Sequence, residues 1–272
     1  MICSHKDKGA YVNTVVCVKQ VVDTEAEKRL RPGDWQLDRT VENILNPYDE
    51  YAVEAAIQLK EEFGGEVTVL CMGPEAAQDA VRKALAMGAD KAVMVTDSAL
   101  EGSDAQGTAY ALSLALKTLE FDLVLCGTMS TDAQTGLVPA ALAELLDLPM
   151  MGNASRLGAE GDTLKVNRQT DEGYIAYECP MPAVVAVAKG INEPRYPSLK
   201  GIMGAKKKPL TTMSGADIGI DPAAVGSAGA RTRVLAASQV PPRTAGERLT
   251  DYGTPAEGAA KLADFLFDAK VV

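Results

Sequence analysis

The residues best suited to chemistry sit in Gly127-Thr128-Met129-Ser130-Thr131-Asp132-Ala133-Gln134-Thr135-Gly136. Ser, Thr, Asp and Gln crowd this stretch, and Gly136 lets the backbone turn or approach a ligand closely. Before it runs Leu123-Val124-Leu125-Cys126, a short apolar segment suited to a strand covered on both faces. After it, Pro139 falls where an early helical turn tolerates proline, and residues 140–146 are strong helix formers. A loop between a parallel strand and a helix N-terminus offers free N–H groups and the positive end of a dipole. The expected ligand is therefore an anion, a nucleotide phosphate. The loop is neither a Walker sequence nor G-x-G-x-x-G, and an ordinary connection without a ligand is the competing reading.

Composition removes other chemistries. The sole histidine, His5, lies in a short polar leader, which leaves no Ser-His-Asp triad, Cys-His pair or histidine metal cluster. The five cysteines stand at 3, 17, 71, 126 and 179, too far apart for a metal knuckle or a CxxC pair. Their odd number points to free thiols. Cys17, Cys71 and Cys126 each end an apolar run, as buried small hydrophobes would, and bring three soft side chains to one sheet edge. Carboxylate or lysine chemistry stays open, as does a subunit whose chemistry belongs to a bound cofactor. A net charge of −10 argues against nucleic acid. No apolar run reaches the roughly 18 residues of a membrane span, and residues 1–10 lack the apolar core of a signal peptide. No direct membrane insertion and a cytoplasmic location are expected.

The elements that would position the loop alternate. Strands are expected at 15–18, 67–71, 92–95 and 123–126, with helices from Pro47, Glu75, Ala105 and Pro139. Asn46 is the expected N-cap of the first helix, ahead of Pro47 with Asp49 and Glu50 in the first turn. Residues 31–38 suggest a hairpin excursion around Pro32-Gly33. The pattern calls for an α/β fold with a doubly wound, mostly parallel sheet. Ligands in such folds sit beyond the carboxyl ends of the strands, where strand order reverses. Lys19, Asn46, Met72-Gly73 and the 127–135 loop all fall near that edge.

From Leu157 the pattern changes. Residues 163–169 and 173–178 alternate around Asp171-Glu172-Gly173, which predicts an antiparallel hairpin, and 182–188 reads as a further buried strand. Residues 192–209 then form an expected exposed loop on which Tyr196, Leu199, Ile202 and Met203 cluster. Such a loop either packs on itself or docks a partner. Lys206-Lys207-Lys208 is a solvated run or a contact for an acidic partner or phosphate. The expected division is a nucleotide-binding domain over 1–210 and a C-terminal arm over 211–272, including Gly226–Ala230 and Pro241-Pro242-Arg243. The arm ends in an amphipathic helix carrying Ala259, Leu262, Ala263, Leu266 and Phe267, suited to wrapping a partner.

The chain resembles the β subunit of electron transfer flavoprotein over about residues 13–209. The resemblance rests on Val18–Thr24, Asn46–Ala56, Ala84–Asp90 and, most specifically, Asn192–Lys208 with its Asn-Glu-Pro-Arg-Tyr start and Ala-Lys-Lys-Lys end. It implies an adenine-nucleotide-binding sheet domain and a heterodimer with an α subunit that carries the redox-active FAD. AMP, a structural ligand, would contact Cys17, Asn46, Pro47, Tyr48, Asp49, Cys71 and the loop Gly127–Thr135, with Ala133, Gln134 and Thr135 N–H groups on the phosphate. Leu199 matches the anchor by which the family docks acyl-CoA and other dehydrogenases, so that electrons pass via FAD and electron transfer flavoprotein-quinone oxidoreductase to the respiratory chain. Two features depart from many relatives: the 127–136 loop is shorter, and Gln169 replaces a glutamate that steadies the flavin domain. Two alternatives stay open. One is a bifurcating β subunit with a second FAD in place of AMP, oxidising NADH. The other is a stand-alone nucleotide-binding domain.

Overall fold

A computed structural model describes residues 11–271 except 32, 34, 239, 240, 242, 243, 247 and 249. The leader with Cys3 and His5, Pro32 and Asp34 of the excursion, and Pro242 and Arg243 of the arm lie outside the described residues. The strands are β1 (Thr14–Val18), β2 (Gln20–Val22), β3 (Asn43–Leu45), β4 (Val67–Met72), β5 (Lys91–Val95), β6 (Leu123–Gly127), β7 (Met150–Glu160), β8 (Thr163–Thr170), β9 (Gly173–Pro180), β10 (Ala183–Val187) and β11 (Leu210–Met213). The helices are α1 (Pro47–Phe63), α2 (Gln78–Met87), α3 (Ala105–Leu116), α4 (Val138–Leu146), α5 (Leu199–Ala205), α6 (Gly226–Gly229) and α7 (Pro255–Asp268).

Nine strands form one sheet in the order β11-β5-β4-β1-β6-β10-β7-β8-β9. Neighbours from β11 to β7 run parallel, while β7-β8 and β8-β9 are antiparallel. The mostly parallel, doubly wound sheet and the 163–178 hairpin agree with the sequence. Alternation along the strands divides the core. Val16 and Val18 face a cluster with Ala52, Val53, Ala56 and Ile57 of α1 and Val81 and Leu85 of α2. Val15 and Cys17 face the other side, with Ala109, Leu112 and Leu116 of α3 and Leu142 of α4. From β1 the chain passes to β4 and β5 on one side, then returns to β6 on the other. Strand order therefore reverses at β1, and the crevice lies beyond the ends of β1 and β6.

Two expectations need correction, and two features are additional to them. After β1, β2 pairs with β3 in a small antiparallel sheet, and the expected excursion between them closes at a Leu30–Leu37 bridge. β7, a strand of 11 residues, was not anticipated; it joins the parallel set through β10 while pairing antiparallel with β8. The 192–209 connection is not all loop, because Ser198 Oγ accepts the Gly201 N–H at 3.0 Å and starts α5. Residues 211–234 belong to the sheet unit, which ends at Val234. Here β11 extends the parallel edge beside β5, Ile218 and Val225 are buried, and 226–229 is helical rather than extended.

The second unit, Leu235–Val272, carries α7, opened by a capping box between Thr254 and Glu257. Leu262, Phe265 and Phe267 of this helix are exposed. Among the described residues, no helix is long and apolar enough to cross a membrane.

Candidate functional site

Two buried side chains at the start of α1 brace the crevice. Asp49 accepts the Lys19 N–H at 2.8 Å, the Asn46 Nδ2–H at 2.9 Å and the Gly127 N–H. Asn46 also donates to the Met129 carbonyl at 2.9 Å and accepts the Thr131 N–H at 3.2 Å. Asn46 thus holds the N-cap position without a side-chain capping bond; its amide is committed to the 127–135 loop instead. Its carbonyl receives the Asp49 and Glu50 N–H groups. The ends of β1 and β6 are tied to one helical turn. Gly127 is required there: a Cβ would stand 2.5 Å from Asp49 Oδ1 and 2.7 Å from the Tyr48 carbonyl carbon.

The loop beyond β6 is shaped by its own hydrogen bonds. Gln134 N–H reaches the Ser130 carbonyl at 3.0 Å, Ala133 N–H reaches Ser130 Oγ at 3.4 Å, and Gln134 adopts φ +53°. Thr128 Oγ1 donates to the Val187 carbonyl at 2.6 Å. Thr131 Oγ1 is buried and has no hydrogen-bond partner among the described residues.

Asp132, whose side chain is 2% exposed, lies between two cations. Lys19 Nζ donates to its Oδ1 at 2.7 Å, and Arg39 from the 24–42 excursion pairs with its Oδ2. Burial works to raise this carboxyl, but Lys19 and the Ser130 and Arg39 hydrogen bonds outweigh it and hold it at about 2. Asp49 is the opposite case: burial pushes it up to about 7 against the pull of its Lys19, Asn46 and Gly127 donors.

The cysteines divide between the faces. Cys17 and Cys126 are register partners on the α3–α4 side, whereas Cys71 pairs with Val18 and faces α1. The hydrogen bond with Cys17, then burial, raise the Cys126 thiol, and burial pushes Cys71 up to about 12. Neither supplies a thiolate at neutral pH. Beside the crevice a cavity of about 490 Å³ is lined by Tyr48 and Thr128 on one side and Arg168, Gln169, Asp171 and Lys189 on the other. Lys189, like Arg39, was not picked out from the sequence, since neither belongs to a local motif.

Away from the crevice, α5 presents Leu199, Ile202 and Met203 at i, i+3 and i+4, with Tyr196 just ahead. Leu199 is 75% exposed and Tyr196 96% exposed. The structure gathers these four residues on one surface segment and places the crevice residues elsewhere.

The electron transfer flavoprotein domain family matches residues 34–218. The electron transfer flavoprotein subunit beta of Mycobacterium tuberculosis is 45% identical over 267 residues, covering 96% of this chain and 99% of that protein. Those of Thermoanaerobacterium thermosaccharolyticum and Bacillus subtilis are 40% and 38% identical over 263 residues, covering 96% of this chain and all of each relative. The chain belongs to the electron transfer flavoprotein β-subunit family. An electron transfer flavoprotein β subunit is a subunit of an electron carrier, and the family implies association with flavin and an α-subunit partner. Its crevice and its apolar helix α5 are separate features of this one fold.

Proposed function

We propose that this β subunit holds AMP as a structural ligand in the β1–β6 crevice, helps enclose the FAD of the α subunit, and docks dehydrogenases through α5. FAD supplies the electron relay when bound. The chain's own residues hold and present. Asn46 and Asp49 fix the crevice walls, and the loop Gly127–Thr135, whose Ala133 and Gln134 N–H groups now turn back onto Ser130, stands at the entrance to α4, the favourable end of a helix for a phosphate. The observation that carries this reading is the 127–135 loop at the switch point of the sheet, cross-braced to the start of α1 by Asn46 and Asp49. The cavity beside Tyr48, with Arg168 and Lys189, suits an anionic or polar face of the flavin domain. The apolar stripe of α7 suits the α subunit, and Tyr196, Leu199, Ile202 and Met203 suit an apolar pocket on an acyl-CoA dehydrogenase. Burying one leucine there contributes about 1.5–3 kcal/mol, a grip that a carrier can release. Electrons then pass on through electron transfer flavoprotein-quinone oxidoreductase.

Purified heterodimer, denatured and resolved by chromatography and mass spectrometry, is expected to release one FAD and one AMP. Two FAD per heterodimer would overturn the AMP assignment, and no adenylate at all would overturn the crevice reading.

A further inference from the structure

The segment that carries Leu199 is fastened at both ends. Its N-terminal half is bound by Arg195, whose Nε and Nη2 donate to Glu54 at 2.8 and 2.9 Å and whose Nη1 and Nη2 donate to Glu61 at 2.6 and 2.9 Å. The Arg195 N–H adds a 3.2 Å bond to Glu54, and Asn192 Nδ2 reaches the Tyr51 carbonyl at 3.0 Å. Glu54 and Glu61 are seven residues apart on α1, two turns of one face. The C-terminal half is held by α2. Arg82 donates to the Ala205 and Lys208 carbonyls at 2.7 and 3.1 Å, and Lys208 Nζ donates to the Leu85 and Ala89 carbonyls at 2.9 and 2.5 Å. Between them a Cβ on Gly201 would stand 2.5 Å from the Ala86 carbonyl oxygen, so α5 lies directly on the end of α2.

We infer that Arg195 is a positioning residue for docking: its fork onto Glu54 and Glu61 fixes where Leu199 stands before any partner arrives. The inference rests on the docking role proposed for Leu199. Glu54 has only 3% of its side chain exposed, so without the guanidinium α1 keeps a buried carboxylate that loses its cation and retains only the Gln58 Nε2 hydrogen bond at 3.0 Å and the backbone N–H bond from position 195. A planar fork that meets two carboxylates fixes direction as well as distance, which an ammonium does not. A segment already ordered loses little freedom on binding, and that saving appears as affinity.

The test uses the heterodimer with an acyl-CoA dehydrogenase as the variable reductant, reading KM for the dehydrogenase, kcat, and FAD and AMP content. Arg195→Met is expected to raise KM about tenfold while kcat and cofactor content stay near wild type. Arg195→Lys is expected to follow Arg195→Met rather than wild type. On a Leu199→Ala background, Arg195→Met is expected to add less than about a further twofold, because coupled residues are non-additive. A wild-type KM for Arg195→Met, or the same fold-rise on both backgrounds, overturns the inference. If Leu199→Ala alone leaves KM unchanged, the docking role itself fails, and that outcome is separate. Should Arg195→Met fail to assemble, Glu61→Gln opens only the exposed arm of the fork; a KM rise in wild type and none with Leu199→Ala supports the inference, and no rise in wild type overturns it.

Discussion

Asp132 and Asp49 stand at the two sides of one loop and answer acid in opposite directions. Burial opposes ionisation of Asp132, but Lys19, Ser130 and Arg39 hold its carboxyl at about 2, below its ordinary value. The folded state therefore binds that proton less tightly than the unfolded chain. The stability it contributes is full above the ordinary carboxylate pKa of about 3.9 and is lost as pH falls toward 2. Burial places Asp49 at about 7, above its ordinary value. Its folded form binds the proton more tightly, so stability falls as pH rises from about 4 to about 7 and is level beyond. Denaturant midpoints are expected to show Asp132→Asn weaker than wild type at pH 7, with the gap closing near pH 2. The difference between wild type and Asp49→Asn is expected to shift against wild type between pH 4 and pH 7. Asn46 and Asp49 were legible as residues at the sheet edge because Asn-Pro followed by acids marks a helix start there. Their work as cross-braces was not, since it depends on a loop about 80 residues further along the chain.

At the scale of elements, glycine marks both the tightest joint and a helix that the sequence concealed. Gly127→Ala drives a methyl group onto Asp49 Oδ1 and the Tyr48 backbone, a conflict between a strand end and a helix start. Overpacking of this kind costs about 1–3 kcal/mol, and urea unfolding of the heterodimer is the measurement. AMP content is expected to fall in the same variant, because the crevice walls move. The helix α5 was missed because Gly201 and Gly204 lower helix propensity within seven residues, while Pro194 and Pro197 point to extended chain. Its spacing of Leu199, Ile202 and Met203 and its cap at Ser198 were nonetheless present. β7 was missed for another reason: parallel on one edge and antiparallel on the other, it has no single alternation to detect. The strands β1, β4, β5 and β6 were readable because burial on both faces makes them short apolar runs.

At the scale of the molecule, the chain divides at Val234 rather than near residue 210, because β11 and Val225 are part of the sheet unit. Composition hid this: Gly, Ala, Ser and Thr predominate on both sides of the boundary. A chain ending after Val234 is expected to keep its own unfolding midpoint while failing to co-purify with the α subunit, since α7 and its exposed phenylalanines are gone. Retained co-purification would place the partner's grip on the sheet unit instead. Helix α1 gives the molecule one more property. Asp49 in its first turn braces the crevice, while Glu54 in its middle and Glu61 near its end both hold Arg195. The helix is in effect a ruler with both attachments engraved on it. One residue inserted between Asp49 and Glu54 would rotate the later marks by about 100° relative to the first. The same rotation would turn Val53, Ala56 and Ile57 away from the core they fill, so a change of length in α1 would break its packing and the register between the crevice and the Leu199 segment together.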